Sequence, residues 1–336
     1  MKKILSILLT AALSLGICAS LSSCNKSQIK VNPDKEKYTV GILQLVSHDA
    51  LDSATQGFKD ALEAELAKEG RTVEFKYNNA GGETTTCTTI ANALVADDVD
   101  LIMANATPAL QAAYNATTTI PVLGTSITEY GVALEIDDFN GVVGNNVSGT
   151  SDLAPLDEQA QMMIDVLGIG EGSTVGILYC SAEPNSKYQY DVVKAYLEGK
   201  GITVKQYTFA DSNDLSAVVN NAADTCDAIY VPTDNTVAAN DALVDSICAP
   251  KKVPVFTGYD SDICFATLAI SYYNLGVATG KMAAKVLLGQ ADITEMQIEY
   301  DASPVKKYNA SVCENLGIDT NTLKEKGYTD RASDSE

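Results

Sequence analysis

The sequence predicts an α/β protein of two similar lobes, each a doubly wound parallel sheet covered by helices. The first observation is a repeat, because Thr39–Leu43 reads Thr-Val-Gly-Ile-Leu and Thr174–Leu178 reads the same. Two further pairs of segments match in the same order, Asp100–Pro108 with Asp227–Asp234 and Ile120–Leu123 with Val253–Phe256. The second observation is that strand-like and helix-like runs alternate, as in parallel sheets with crossover helices. The length of 336 residues also suits two domains.

In the first half, β-rich runs alternate with runs whose apolar residues recur every three or four positions. Thr39–Val46 predicts the first strand, and Leu51–Leu66 carries the apolar stripe of the helix after it. Gly70 is a typical end for that helix. The remaining predicted elements of this half are a strand at 72–77, a helix at 84–96, a strand at 101–105, a helix at 107–115 and a strand at 121–123.

The second half repeats this alternation and then extends it. Its predicted elements are strands at 175–179, 203–209, 228–231 and 255–257, and helices at 188–198, 215–222 and 237–247. A strand at 265–270, a helix at 274–288 and a strand at 297–300 follow, and we expect them to return to the first lobe and cross back. We therefore expect a three-segment hinge, with lobe 1 at 38–147 and 266–292 and lobe 2 at 148–265 and 293–326.

The start of the chain predicts export and lipid anchoring. Two lysines precede an apolar stretch at 4–17 that is too short to span a bilayer. Leu21-Ser22-Ser23-Cys24 resembles the cleavage box of bacterial lipoproteins. We predict a signal peptide at 1–23, a lipid on Cys24, a tether at 24–37 and an extracytoplasmic protein held to the membrane. An ordinary signal peptide with an incidental cysteine is the alternative. The polar residues 327–336 predict a disordered tail.

Composition excludes several classes of function. The net charge is −21, and removing residues 1–23 takes away two lysines and no acid, giving −23. Nucleic-acid binding requires a basic surface, so we expect no such partner. The chain has a single histidine, no GxSxG and no CxxC, so we expect no enzyme, no metal and no cofactor. The sequence around Gly276–Lys281 lacks the spacing of a P-loop.

Polar residues stand at the predicted carboxyl ends of strands, where open α/β sheets bind ligands. The candidate ligand-binding residues are Gln44, His48, Thr107, Ser126, Asp152, Asn185, Thr233, Asp234, Asp260 and Tyr272. Thr107 and Thr233 occupy equivalent places at helix N-termini, where amides and hydroxyls favour a carboxylate. Asp152, Asp234 or Asp260 would meet an ammonium group. The alternative is that these residues are helix caps and turn residues.

Several of these segments together resemble the substrate-binding lipoproteins of ABC transporters that are related to tryptophan and aromatic amino acid binders. The matching segments are Val40–Gln44 with His48–Asp52, Ala106–Ala109, Gly149–Pro155, Asn185–Ser186, Val231–Ala238 and Tyr272–Gly276. The resemblance covers about residues 38 to 300. It implies a type I periplasmic-binding-protein fold and delivery of a solute to an ABC permease.

On this resemblance we expect a solute-binding lipoprotein of an ABC importer, with an aromatic amino acid as ligand. The expected partners are that small molecule, the permease with its ATPase, and the membrane through Cys24; we expect a monomer. The alternative is a lipid-anchored sensor that presents an amino acid, peptide or sugar to a membrane receptor. Sugar sites favour aromatic platforms, and the absence of tryptophan counts against a sugar.

Overall fold

The computed structural model describes residues 29–300 and 304–335. The predicted signal peptide and Cys24 lie outside the described residues. The described strands are β1 (Lys37–Gln44), β2 (Thr72–Asn79), β3 (Leu101–Asn105), β4 (Val122–Ile127), β5 (Val147–Ser151), β6 (Thr174–Cys180), β7 (Thr203–Phe209), β8 (Ala228–Val231), β9 (Val255–Thr257), β10 (Ala266–Ala269), β11 (Glu299–Tyr300), β12 (Val305–Tyr308) and β13 (Thr329–Asp330).

The α-helices of the described part alternate with these strands through most of the chain. They are α1 (Asp49–Lys68), α2 (Thr84–Ala96), α3 (Thr107–Ala116), α4 (Tyr130–Leu134), α5 (Leu156–Leu167), α6 (Pro184–Gly199), α7 (Ser212–Thr225), α8 (Asn235–Ala238), α9 (Asp241–Lys251), α10 (Tyr272–Leu287), α11 (Ala310–Leu316) and α12 (Thr320–Glu325). Short 3₁₀ helices cover Ile293–Glu295 and Arg331–Ser335.

Lobe 1 is built on a parallel sheet with the strand order β11-β5-β4-β3-β1-β2. The continuous apolar sequence of β3 is buried over its whole length, as expected for a strand covered on both faces. Helices α2 and α3 pack on one face of the sheet, and α1 and α10 pack on the other. The sheet thus separates two apolar cores.

Lobe 2 joins a parallel sheet, β7-β6-β8-β9, to a second sheet, β10-β12-β13, in which β12 runs antiparallel to β10. Helices α5 and α6 cover one face of the parallel sheet, and α7 and α9 cover the other. Two lobes with parallel sheets between helices confirm the predicted fold class.

The chain passes between the lobes three times, but some crossings fall elsewhere than predicted. We placed 266–292 in lobe 1, whereas β10 pairs with β12 in lobe 2. We placed 293–326 in lobe 2, whereas β11 pairs with β5 in lobe 1. Strand pairing decides these places, and the sequence of a short strand does not show which edge it joins.

The tail differs from the prediction of disorder over its described residues. Thr329–Asp330 pairs with β12, and Arg331 Nε lies 2.7 Å from Asp260 Oδ1. The same guanidinium group contacts the Asp262 carboxylate. Two acids from a loop about 70 residues earlier therefore hold a segment whose own sequence is polar.

Glycine allows α1 and α10 to pack in direct backbone contact. A Cβ added to Gly276 would lie 1.9 Å from the carbonyl oxygen of Ala54, and one on Gly57 would lie 2.1 Å from that of Tyr273. Such distances exclude any side chain, so both positions need glycine. The segment that lacks P-loop spacing is thus helical, and it fixes α10 to lobe 1.

Candidate functional site

Three adjacent strands of lobe 1 carry polar side chains at their carboxyl ends. Asn105 ends β3, Ser126 lies near the end of β4, and Asp152 follows β5. The register of β4 against β5 shifts between Gly124 and Ile127, and Ser126 has a left-handed φ of 57° within that irregularity. Bulges of this kind redirect side chains and are frequent beside functional sites.

The facing surface of lobe 2 is formed by the start of α6 and the segment after β8. Asn185 Nδ2 donates to the Thr233 carbonyl oxygen at 2.8 Å. The Gln189 side chain contacts Thr233 twice, since its Oε1 accepts from the Thr233 N–H at 3.1 Å and its Nε2 donates to the Thr233 hydroxyl. The Thr233 backbone is thereby fixed against α6.

The two surfaces meet at a contact between two threonine hydroxyls. Thr128 Oγ1 lies 3.2 Å from Thr233 Oγ1. The Asp152 N–H donates to the Ile127 carbonyl oxygen at 3.1 Å, and Ser151 Oγ donates to that of Thr128 at 2.9 Å. The end of β4, the segment after β5 and the start of α6 therefore converge on one junction between the lobes.

Unpartnered polar atoms lie at the ends of these strands and at the start of α6. Ser126 Oγ, Asp152 Oδ1 and Asn185 Oδ1 are buried without a hydrogen-bond partner, and so is Asn105 Oδ1. These four residues are at most 6% exposed. Buried polar groups nearly always find partners, and leaving one unpaired costs about 1–3 kcal/mol. Three of them at the ends of neighbouring strands of lobe 1, with Asn185 at the start of α6 in lobe 2, indicate a site that a polar ligand completes.

Asp152 is the charged member of this set. Its Oδ2 accepts a hydrogen bond from the Tyr272 hydroxyl at 2.8 Å. Burial raises the pKa of Asp152, while hydrogen bonds from Tyr272 and Thr128 oppose that rise. Because Tyr272 begins α10 and Asp152 follows β5, this bond joins two of the three crossing segments.

Asp234 lies in a different environment from Asp152. It caps α8 by accepting from the Val237 N–H at 2.9 Å, and it also accepts from the Cys180 N–H and the Ser186 hydroxyl at 2.7 and 2.8 Å. Burial, and then the nearby Glu183 carboxylate, raise its pKa to about 8. Both carboxylate oxygens are thus engaged within lobe 2.

Sequence reasoning missed Glu183. Its carboxylate accepts from the backbone N–H and side chain of Asn235 at 3.0 and 2.6 Å, and from those of Thr236 at 2.9 and 2.8 Å. An acid directly before a helix-starting proline, Pro184, is the signal that the sequence offered. Glu183 orders α8 rather than facing the junction with an unpaired atom.

Other predicted residues of lobe 1 also have partners. The Gln44 side chain donates to Asp52 and the Val46 carbonyl oxygen, and accepts from Thr55 at 2.6 Å. It therefore fixes the end of β1 to α1. His48 Nε2 lies 3.3 Å from Asn235 Oδ1, which is a contact between the lobes, and burial lowers the pKa of the imidazole.

Thr107 is placed as predicted at the first turn of α3. It is buried and follows Ala106, whose φ of 89° is left-handed. That backbone conformation is costly for alanine, and such strain is concentrated at functional sites.

Asp260 faces the tail rather than the junction. Besides Arg331, Lys307 Nζ lies 3.2 Å from its Oδ2. Nearby, Asp241 accepts from the Tyr259 hydroxyl at 2.8 Å and from Ser261, and burial raises its pKa to about 6. A cavity of about 450 Å³ here is lined by both lobes, but these carboxylates already have partners. The junction around Thr128 is the better candidate site.

Within residues 29–300 and 304–335, no group of three His, Cys, Asp or Glu side chains is placed to hold a metal ion. In the same ranges, no helix has the length and apolar character needed to cross a membrane. The six described cysteines are unbonded, and burial raises the pKa of Cys180 and Cys264 to about 11.

Residues 39–326 match the family model described as ABC transporter substrate binding protein. The tyrosine-binding protein of Clostridioides difficile (strain R20291) is 30% identical over 347 aligned positions, which cover 97% of this chain and 99% of that protein.

Two solved structures bear on the arrangement of the lobes. The ABC domain in complex with L-Trp from Streptococcus pneumonia is 33% identical, with a TM-score of 0.78 over 86% of this chain and 99% of that one. The ligand-free, open structure of a substrate binding protein with adhesive properties from Clostridium difficile is 32% identical, with a TM-score of 0.64 over 87% and 99%. At nearly equal identity, the present structure is closer to the L-Trp complex.

Proposed function

We propose a function from this premise: the chain belongs to the ABC transporter substrate-binding protein family. This is a family of solute-binding proteins rather than enzymes, and its members work outside the cytoplasm. Our proposal is that the chain binds an aromatic amino acid between its lobes and delivers it to the permease of an importer. We further propose that Cys24 carries the lipid that anchors it.

The unpartnered atoms around the Thr128–Thr233 contact carry the proposal. Asp152 Oδ1 and Asn185 Oδ1 are acceptors, which suit the three N–H donors of an ammonium group. The Ser126 hydroxyl can donate to a carboxylate, and the first turn of α3 at Thr107 adds the positive end of a helix. An α-amino acid presents both groups on one carbon.

Contributions from both lobes make closure depend on the ligand. Asn185 belongs to lobe 2, whereas Ser126 belongs to lobe 1 and Asp152 to the crossing segment. A ligand that contacts all three is bound more tightly when the lobes are closed, and it shifts the population toward that state by this difference in affinity. The His48–Asn235 and Thr128–Thr233 contacts also form across the cleft.

Support for an aromatic ligand comes from the relatives. One is named as a tyrosine-binding protein, and another was solved with L-Trp. Among His48, Tyr259 and Tyr272, the cyclic side chains that could contact an aromatic ring, the two tyrosines direct their hydroxyls to Asp241 and Asp152. They are therefore engaged in positioning carboxylates, and His48 stays the candidate for contact with the ring.

Calorimetric titration with L-tyrosine, L-tryptophan and L-phenylalanine tests the ligand. The protein is first unfolded and refolded to remove any ligand carried through purification. We expect saturable one-to-one binding of at least one of them, lost or strongly weakened in Asp152→Asn. Asp260→Asn is the matched control, because Asp260 is paired with Arg331 away from the junction. Absence of heat with all three amino acids would refute the aromatic ligand.

Anchoring and delivery need separate tests. Cells grown with labelled palmitate should label the wild-type protein and leave Cys24→Ala unlabelled. Uptake of the labelled amino acid should fall when the gene is deleted and return when it is restored. Unchanged uptake in the deletion strain would contradict the importer and favour a sensor.

A further inference from the structure

Resting on the proposed function, we infer that the cleft anchors its ligand mainly through the ammonium group, so that arylethylamines are also ligands whereas arylpropionates are bound poorly. An arylethylamine is the amino acid without its carboxylate, and an arylpropionate is the amino acid without its ammonium group. The inference follows from where the site places charge.

The ammonium side of the site carries an unbalanced charge. Asp152 is 4% exposed, one of its oxygens is unpartnered, and its side-chain donors, the Tyr272 hydroxyl at 2.8 Å from Oδ2 and the Thr128 hydroxyl, are neutral. The groups that act on its ionisation are Tyr272, Thr128 and its own backbone. No ion pair in the described part of the chain involves Asp152. A ligand cation is therefore the group that would balance it.

The carboxylate side is neutral. Ser126 and Thr107 offer hydroxyls, which carry no charge. Pro108 at the second position of α3 has no N–H, which removes one backbone donor from that turn. A ligand carboxylate would thus be bound by dipoles alone and would lie close to the Asp152 carboxylate.

Removing the carboxylate and removing the ammonium group from the ligand should reduce its affinity by unequal amounts. Leaving neutral donors unpaired weakens binding by about 5- to 150-fold. Removing one partner of a buried charge pair weakens it by about 150- to 5,000-fold, less where the remaining acid takes up a proton. The order of affinity should be amino acid, then arylethylamine, then arylpropionate.

A set of matched compounds tests this on the mature full-length protein. L-Tyrosine, tyramine and 3-(4-hydroxyphenyl)propionate share one ring, and L-tryptophan, tryptamine and 3-indolepropionate share another. Calorimetry at pH 7 should give an affinity for the amine at least about tenfold above that for the propionate. Equal or tighter binding of the propionate would overturn the inference, and so would binding of the amino acid without the amine. If neither amino acid binds, the proposed function itself fails.

Variants assign the preference to Asp152. Asp152→Asn should weaken amine binding and bring the amine and the propionate to within about threefold of each other. Ser126→Ala should weaken binding of the amino acid and leave binding of the amine unchanged. Circular dichroism and thermal melting confirm folding, and the wild-type series decides the inference even if a variant does not fold. An amine preference that persists in Asp152→Asn would overturn the assignment.

Discussion

Asp152 and Asp234 are two buried aspartates that follow strands, and the structure uses them in opposite ways. Asp234 is 1% exposed and accepts three hydrogen bonds from its own lobe. Asp152 is 4% exposed and keeps one oxygen unpartnered. Both were predicted to meet a ligand amine. A carboxylate at a strand end is thus a ligand group only where the fold leaves it without donors.

The difference arises from the backbone around each residue. Asp234 precedes the short helix α8, whose N–H groups need a cap, and Cys180 at the end of β6 supplies another donor. Asp152 precedes no helix start of that kind, because Pro155 separates it from α5. Its side chain therefore accepts from Tyr272 and keeps one oxygen available to a ligand in the cleft.

Asp234→Ala should give the largest effect, on stability. It leaves the Cys180 and Val237 N–H groups and the Ser186 hydroxyl without an acceptor, which costs about 3 kcal/mol of the free energy of unfolding. Denaturant unfolding measures this. Asp245→Ala, an exposed aspartate on α9, should change stability by less than about 0.5 kcal/mol. Equal effects of the two variants would contradict the capping role.

Asp152→Asn should show the reverse pattern. Ligand affinity should fall by on the order of 100-fold, because the ammonium group loses its anion. The free energy of unfolding should stay unchanged or rise, since a buried, half-paired acid is removed. Titration and unfolding of the same preparation measure both. A large loss of stability with unchanged affinity would show that Asp152, like Asp234, stabilises the fold and does not bind the ligand.

The pH dependence of binding sharpens the same contrast. The pKa of Asp152 is raised by burial, and an ammonium ligand binds its ionised form. Ligand binding therefore releases a proton, and affinity should rise with pH up to the pKa of the ligand-free protein and then level. Titration between pH 4 and 8 measures this slope, and Asp152→Asn should flatten it. A slope that persists in the variant would place the titrating group elsewhere.

Tyr272→Phe should weaken ligand binding about tenfold while changing stability little. The variant removes the donor that holds Asp152 Oδ2 at 2.8 Å, and hydrogen bonds to charged groups are worth about 1.5–3 kcal/mol, part of which the ligand can replace. Tyr273→Phe is the matched control, because the exposed Tyr273 donates to Asp60 on α1. A comparable loss in the control would show that α10, not Asp152, is the affected element.

Asp241 is a third, partly buried aspartate, and we expect it to have a smaller effect, on the pH dependence of stability. Its pKa is raised from 3.8 to about 6 by burial, so the folded state binds the proton more tightly than the unfolded chain does. Stability from this group is fully present below about pH 4 and is lost as pH rises through about 6, and roughly 2 kcal/mol of it is lost between pH 4.5 and 7. Unfolding at pH 4.5 and 7 should show a smaller difference in Asp241→Asn than in the wild type. An equal change in the free energy of unfolding between pH 4.5 and 7 in both proteins would contradict the assignment to Asp241.

The sequence predicted the fold well where a strand is an apolar run bounded by turn residues. The strands at 101–105, 203–209, 228–231 and 255–257 have the predicted bounds. It missed β5, Val147–Ser151, because only one of its five residues is a large apolar one. A Cβ on Gly149 would lie 2.0 Å from the carbonyl oxygen of Gly124, so small residues are required there by close packing that no local pattern reveals.

The sequence predicted the type and position of several site residues, but not whether their polar atoms have hydrogen-bond partners. The rule that ligands bind at the carboxyl ends of strands selected Ser126, Asp152 and Asn185, which the structure leaves with unpartnered atoms. The same rule selected Gln44 and Asp234, whose polar atoms are engaged by Thr55 on the following helix and by Cys180 at the end of β6. It passed over Thr128, because a contact between two lobes depends on tertiary structure.

The glycine contact between α1 and α10 provides a constant reference distance for a fluorescent reporter. Because the two backbones touch at Gly57 and Gly276, a dye pair placed on the exposed faces of these helices should keep a constant separation in every state. A pair that joins α10 to α9 in lobe 2 should shorten when the lobes close. The ratio of the two signals would report occupancy in single molecules, independent of dye brightness.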